Sequence, residues 1–122
     1  MCDPQRVTRA QVRQVVVTLP AEIDISNAGG LAEQLCAALT PGVGTVIADM
    51  TGTRFCDSSG ISMLILAHKQ ALINNAELRL VALSVAVLRA LTLVRIDHLL
   101  PVYPSLAEAL LPDPPAEHAH QR

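Results

Sequence analysis

Residues 44–60 read Gly44-Thr45-Val46-Ile47-Ala48-Asp49-Met50-Thr51-Gly52-Thr53-Arg54-Phe55-Cys56-Asp57-Ser58-Ser59-Gly60, and this stretch decides the fold. The β-branched run over 44–48 predicts a buried strand. Beyond Gly60, Ile61-Ser62-Met63-Leu64-Ile65-Leu66-Ala67-His68 has helical spacing. Residues 49–60 therefore connect a strand to a helix, the kind of connection where open α/β sheets place their sites. Asp57 and Ser58 fall where the helix N-cap belongs. Two readings of Ser58 fit that place: a cap that accepts a bond from an orphan N–H, or a functional serine.

Working outward, 12–19 predicts a strand, with Val15, Val17 and Leu19 on one side and Val16 and Thr18 on the other. Apolar residues on both sides predict a mostly covered strand. Residues 7–10 predict a further strand before it, paired to it antiparallel. Glu22-Ile23-Asp24-Ile25-Ser26-Asn27 is a polar connection, and Ser26 or Asn27 is placed to cap the next helix. There Ala28, Leu31, Ala32, Leu35, Ala38 and Leu39 share a face, and Thr40-Pro41-Gly42 stops it. Cys36 is expected as a small buried hydrophobe on that helix.

The main helix is expected over 59–74. Ile61, Leu64, Ile65, His68 and Leu72 form the stripe that should face the sheet. Met63 and Leu66 then lie on the outer side near Ser62, as an exposed apolar pair suited to docking. His68 is expected to be packed rather than a ligand, since no second metal ligand accompanies it at helical spacing. Residues 77–83 predict a strand in which Leu78, Leu80 and Ala82 alternate with Arg79, Val81 and Leu83. Ser84 caps a helix that runs through Leu93. Residues 99–103 give a short edge strand bounded by Pro101 and Pro104. Ser105-Leu106-Ala107-Glu108 is a capping box, and Pro112 lies beyond the short helix it opens. Val15, Val17, Leu35, Val46, Ile47, Leu64, Ile65 and Leu80 are the expected core.

Strands alternating with helices predict an α/β fold: a mixed, mostly parallel sheet packed against about four helices. A chain of 122 residues supports one domain. Its expected limits are 7–112, after a flexible segment 1–6 and before a disordered tail 113–122. Apolar residues make up 51% of the chain and aromatics 2%, so the core must be aliphatic. A net charge of −2 without a basic patch argues against nucleic acid as the main partner. No apolar run reaches the length of a membrane span, and no signal peptide is read. Cys2, Cys36 and Cys56 have no metal spacing and no disulfide framework, which fits a reducing, cytoplasmic setting. Cys56 is expected to be structural rather than redox-active.

The run from Asp49 to Gly60, with Phe55 ahead of Asp57-Ser58-Ser59-Gly60, resembles the signature of STAS domains and, more narrowly, of anti-sigma factor antagonists. Glu22-Ile23-Asp24, Asn27-Ala28, Leu78-Arg79-Leu80-Val81 and the segment from Pro101 to Leu110 extend the resemblance over most of the chain. Ala21 and Arg95 stand where relatives usually carry Gly. The resemblance implies a protein that binds a serine-kinase anti-sigma factor and so frees a sigma factor. It also implies that phosphorylation of Ser58 switches the antagonist off and that a phosphoserine phosphatase restores it. No cofactor is expected in this chain. The implied partner surface combines Glu22, Asp24, Asp57, Ser58, Ser59, Gly60, Ser62, Met63 and Leu66. The alternative is a STAS scaffold subunit of a stress-signalling or lipid-transport complex. An enzyme is not expected: Ser58, His68 and Asp24, Asp49 or Asp57 lack the Gly-x-Ser-x-Gly elbow of a hydrolase, and no phosphate-cradling loop occurs.

Overall fold

The computed structural model describes residues 13–110. The expected strand over 7–10, its antiparallel pairing, the segment 1–6 and the tail 113–122 lie outside the described residues. Four strands, β1 (Arg13–Thr18), β3 (Val43–Met50), β5 (Glu77–Ala82) and β6 (Val102–Tyr103), form one sheet in the order β1-β3-β5-β6. Every pairing in it is parallel. The crossovers carry α1 (Ala28–Ala37), α2 (Ser58–Ile73) and α3 (Val85–Leu93). Parallel neighbours require such long connections, because a two-residue hairpin can only reverse the chain. A second, two-stranded parallel ribbon pairs β2 (Glu22–Ile23) with β4 (Phe55–Cys56).

The main core lies between α1, α2 and α3 and one sheet face, made by Val46, Ala48 and Met50 on β3 and Leu78, Leu80 and Ala82 on β5. On the opposite face Ile47 and Val81 pack with Ala109 of α4 (Leu106–Ala109), joined by Tyr103 and Leu106. Covered on both faces, β3 has an unbroken apolar run, Val46-Ile47-Ala48, at its centre, as expected of a central parallel strand. Of the expected core, Leu35, Val46, Ile47, Leu64 and Leu80 are buried, while Val15, Val17 and Ile65 are half-buried against it. β1 departs from expectation, since Val16 is 38% exposed and only one face of the strand is well covered. Cys36 also departs: it is half-buried, beside rather than on the stripe of Ala28, Leu31, Ala32 and Leu35.

The phase of α2 differs from the expected one. Its buried residues are Gly60, Ile61, Met63, Leu64, Ala67 and Ala71, a stripe displaced by one residue, or about 100° around the axis. His68 is half-buried, and Leu72 is 59% exposed. The expectation followed bulk, whereas the seam uses small residues. α2 packs along α1 as well as on β5, and its buried seam includes Ala67 and Ala71 together with Gly60, which meets the β2–β4 ribbon. Met63 is consequently only 3% exposed, so the expected outer pair reduces to Leu66.

Two caps follow the sequence, while the expected Ser26 or Asn27 cap of α1 is absent. Ser84 Oγ accepts from Val87 N at 3.4 Å and Ser105 Oγ from Glu108 N at 3.1 Å. Arg95 takes the left-handed conformation, at φ 61°, despite its side chain. The turn after α3 is kept at the steric cost that Gly would avoid. Ala21, at the other position where relatives carry Gly, has no such positive φ.

Leu64 is fully buried in the core, so Leu64→Ala should lower stability by about 2–5 kcal/mol in a urea melt. Leu72→Ala, on the exposed side of the same helix, should stay within about 0.5 kcal/mol of wild type. Equal effects of the two would mean that the helix phase is wrong.

Candidate functional site

The carboxyl edge of the parallel sheet gathers three connections: those after β1, β3 and β5. The first two are tied together by the ribbon, in the register Glu22↔Phe55 and Ile23↔Cys56. Arg54 N and Phe55 N both donate to Ala21 O, at 2.8 and 3.2 Å, and Asp57 N donates to Ile23 O at 3.2 Å. Thr53, fully buried, anchors the loop from below, its hydroxyl donating to Pro20 O at 2.7 Å. Asp49 closes the end of β3, Oδ1 accepting from Thr51 N at 3.0 Å. The ribbon alternates as a strand pair should: Ile23 and Cys56 point into the core, and Glu22 and Phe55 face outward.

Asp57, not Ser58, is the N-cap of α2. Asp57 Oδ1 accepts from Ser59 N at 2.9 Å and Gly60 N at 3.3 Å. A carboxylate there satisfies orphan donors and meets the positive end of the helix dipole. Ser58 is thereby released from capping. It occupies the first helical position, exposed, with Ser59 beside it half-buried. Gly60 is buried at the point where α2 meets the ribbon. A side-chain carbon there would collide with Cys56 Sγ and stand 2.8 Å from Ile23 Cγ2.

Asp24 turns the chain from β2 into α1. Its Oδ1 accepts from the Ser26 hydroxyl at 2.5 Å and from Ser26 N at 2.9 Å. These bonds, the hydroxyl's first, hold its carboxyl below the ordinary value. Asn27 precedes α1 without capping it. Its side chain spans the turn instead, accepting from Asp24 N at 3.0 Å and donating to Glu22 O at 2.8 Å. The thiol of Cys56 is pushed up to about 11, by burial first and the Asp57 charge second.

The ribbon and the helix start thus bring Glu22, Asp24, Asp57, Ser58, Ser59 and Gly60 to one edge. Ser62 and Leu66 continue from Ser58 at four-residue spacing on the exposed side of α2, and Leu66 is 48% exposed. Met63 does not join them. Two exposed apolar residues at this edge were not expected as surface: Ile25 at 81% and Phe55 at 50%. The signal for them was an apolar side chain inside an otherwise polar connection. His68 lies ten residues along α2 from Ser58, about 15 Å along the axis. It cannot act as a base on that hydroxyl. Among the described residues no three His, Cys, Asp or Glu side chains gather to hold a metal ion. No helix among them is long and apolar enough to cross a membrane.

A family model for the STAS domain matches residues 4–109. The chain belongs to the STAS domain family. Among solved structures, it is similar to an anti-sigma factor antagonist from Mycobacterium paratuberculosis, with a TM-score of 0.70 and 26% identity over 78% of this chain and 80% of that one. It is also similar to an anti-sigma-factor antagonist (STAS) domain protein from Planctomyces limnophilus, with a TM-score of 0.69 and 26% identity over 83% of this chain and 88% of that one. In this STAS domain the Asp57-Ser58-Ser59-Gly60 block divides its work. Asp57 caps, Ser58 is presented, and Gly60 permits the close approach.

Two outcomes test this division. Gly60→Ala should cost about 1–3 kcal/mol from overpacking, set against a helix-propensity gain of about 1 kcal/mol. The net loss in a urea melt should shrink in a Cys56→Ala background, and no shrinkage would mean that the two do not touch. With a thiol value near 11, Cys56 should alkylate at neutral pH at least about tenfold more slowly than half-buried Cys36, read by mass spectrometry. Equal rates would show that the loop opens.

Proposed function

We propose that the chain is a cytoplasmic anti-sigma factor antagonist, which binds an anti-sigma factor of serine-kinase type and so frees a sigma factor. The kinase transfers phosphate to Ser58, the phosphorylated antagonist lets go, and a phosphoserine phosphatase resets it. The observation that carries this reading is the exposed Ser58 at the first position of α2, relieved of capping by Asp57. A phosphorylation switch needs a hydroxyl that an enzyme can reach and that the fold does not require. The similarity to anti-sigma factor antagonists supports the same reading. ATP and magnesium would belong to the partner, and the chain itself would be no enzyme. The docking surface would comprise Glu22, Asp24, Asp57, Ser58, Ser59, Gly60, Ser62 and Leu66, without Met63.

Phosphorylation adds about −1.5 to −2 charges at neutral pH. They would arrive next to Asp57 and beside the connection that carries Glu22 and Asp24. A partner fitted to a neutral hydroxyl would have to desolvate that charge. Ser58→Ala should therefore bind the anti-sigma factor and resist phosphorylation. Ser58→Asp and Ser58→Glu should bind about tenfold or more weakly, which is roughly 1.4 kcal/mol. Binding titrations with circular dichroism on each variant check this. Phosphate mapped to Ser59 alone, or full binding by a stoichiometrically phosphorylated protein, would overturn it.

A further inference from the structure

The third connection at the carboxyl edge, after β5, is short: Leu83, the cap Ser84, and Val85 at the start of α3. Leu83 is 53% exposed and Val85 is 70% exposed. Since β5 runs parallel to β3, with Ala82 opposite Met50, these residues emerge at the same level as the loop that leads to Ser58. β4 lies against α3 as well as α2, so half-exposed Phe55 sits between Ser58 and the β5–α3 connection. Each of the three connections thus presents a large exposed apolar side chain: Ile25 from the first, Phe55 from the second, Leu83 and Val85 from the third. From Val85 the apolar surface runs on along α3 as an open groove of about 320 Å³ lined by Leu88, Thr92 and Leu93, with Arg89 at its side. Single exposed apolar residues are ordinary, but apolar residues repeated over adjoining connections mark an interaction surface.

The charge at this edge has one dominant sign. The connections carry three carboxylates, Glu22, Asp24 and Asp57, and β3 carries a fourth, Asp49, at its end, against one cation, Arg54. We infer that the anti-sigma factor partner contacts the β5–α3 connection as well as the Ser58 loop, seating an apolar segment with a cationic rim on Phe55, Leu83 and Val85. This rests on the reading given under Proposed function and extends its surface beyond the residues around Ser58. Apolar anchors supply affinity at the centre of such a contact, and complementary charge at the rim sets register and speeds encounter. A phosphoryl group at Ser58 would be attracted by a cationic rim. The release it causes has to come from its bulk and from the cost of desolvating a dianion at the apolar contact, which outweigh that attraction. Leu83 and Val85 make no part of the cap or the core, so they can be changed without disturbing Ser58.

The test titrates each purified serine-kinase anti-sigma factor of the source organism against the full chain, without ATP. The variants are Leu83→Ser/Val85→Ser, Val85→Asp, and Leu99→Ser at the opposite edge of the sheet. Val85→Asp places a carboxylate at a helix start, where the dipole favours it, so this variant keeps the fold even if the double variant loosens it. Both carboxyl-edge variants should weaken binding about tenfold or more while Leu99→Ser stays within about twofold. Raised salt should weaken wild-type binding. Wild-type affinity in a folded Val85→Asp would overturn this inference and leave the role of Ser58 standing. If no such anti-sigma factor binds the wild-type chain, the proposed function falls, and this surface falls with it.

Discussion

Gly60 meets Ile23 and Cys56 where the helix behind Ser58 begins, and the contact leaves no room for a side-chain carbon. That approach fixes the distance between α2 and the β2–β4 ribbon, and the ribbon in turn joins two loops that are far apart in sequence. Asp57 sits between them. Its N–H is bonded to Ile23 O and its carboxylate to Ser59 N and Gly60 N. Once those groups are engaged, the helix start has no freedom to pivot, and Ser58 is held outward by default. The site is therefore a consequence of packing beneath it: a buried thiol and a buried isoleucine set the start of the helix that presents an exposed serine.

The other face of the sheet depends on a buried charge. Arg79 is 1% exposed, in a strand whose only other charged residue is Glu77 at its start. Its Nε donates to Glu77 at 3.0 Å and one terminal nitrogen to Ala109 O at 2.7 Å, and its guanidinium lies 5.7 Å from the centre of the Tyr103 ring. A guanidinium suits this place because it offers several donors in one plane and stacks on an aromatic ring. It ties α4, a single turn, to the sheet by the carbonyl at that helix's end. Removing the side chain would leave the buried Ala109 carbonyl short of a donor, the costly outcome, whereas Glu77 is exposed enough to turn to water.

The alternation of strands and helices was legible because each signal was strong locally. Val46 and Ile47 in a β-branched run, Leu78 and Leu80 at period two, and the caps Ser84 and Ser105 all lie where the pattern put them. The phase of α2 was not legible, because bulk usually marks the buried stripe while here Gly60, Ala67 and Ala71 form part of the seam. The ribbon was hidden for a different reason. Two-residue strands such as Phe55-Cys56 carry no period, and their pairing is decided by contacts across more than thirty positions of sequence. Arg79 alternates with its apolar neighbours, but nothing local tells a solvated arginine from one paired beneath a helix. At the site, the Asp-Ser-Ser-Gly block came from resemblance, and its division of labour came from geometry. Asp and Ser are about equally good caps, so sequence could not choose between Asp57 and Ser58.

That choice bears on how a phosphoryl group at Ser58 would act. A helix start with free N–H groups is a ready anion site. Here Asp57 already holds the N–H groups of Ser59 and Gly60. A phosphoryl group on Ser58 would then find two carboxyl-edge connections rich in carboxylates and a cap already filled by a like charge. Its stable placement is outward, into water, where the dianion keeps its hydration. The alternative, expelling Asp57 from the cap, would forfeit two charge-assisted bonds to gain two others and gives little net advantage. An anion held outward disturbs the fold least and obstructs the surface most. The cap residue that leaves Ser58 exposed is thus also the residue that would keep a phosphoryl group there exposed.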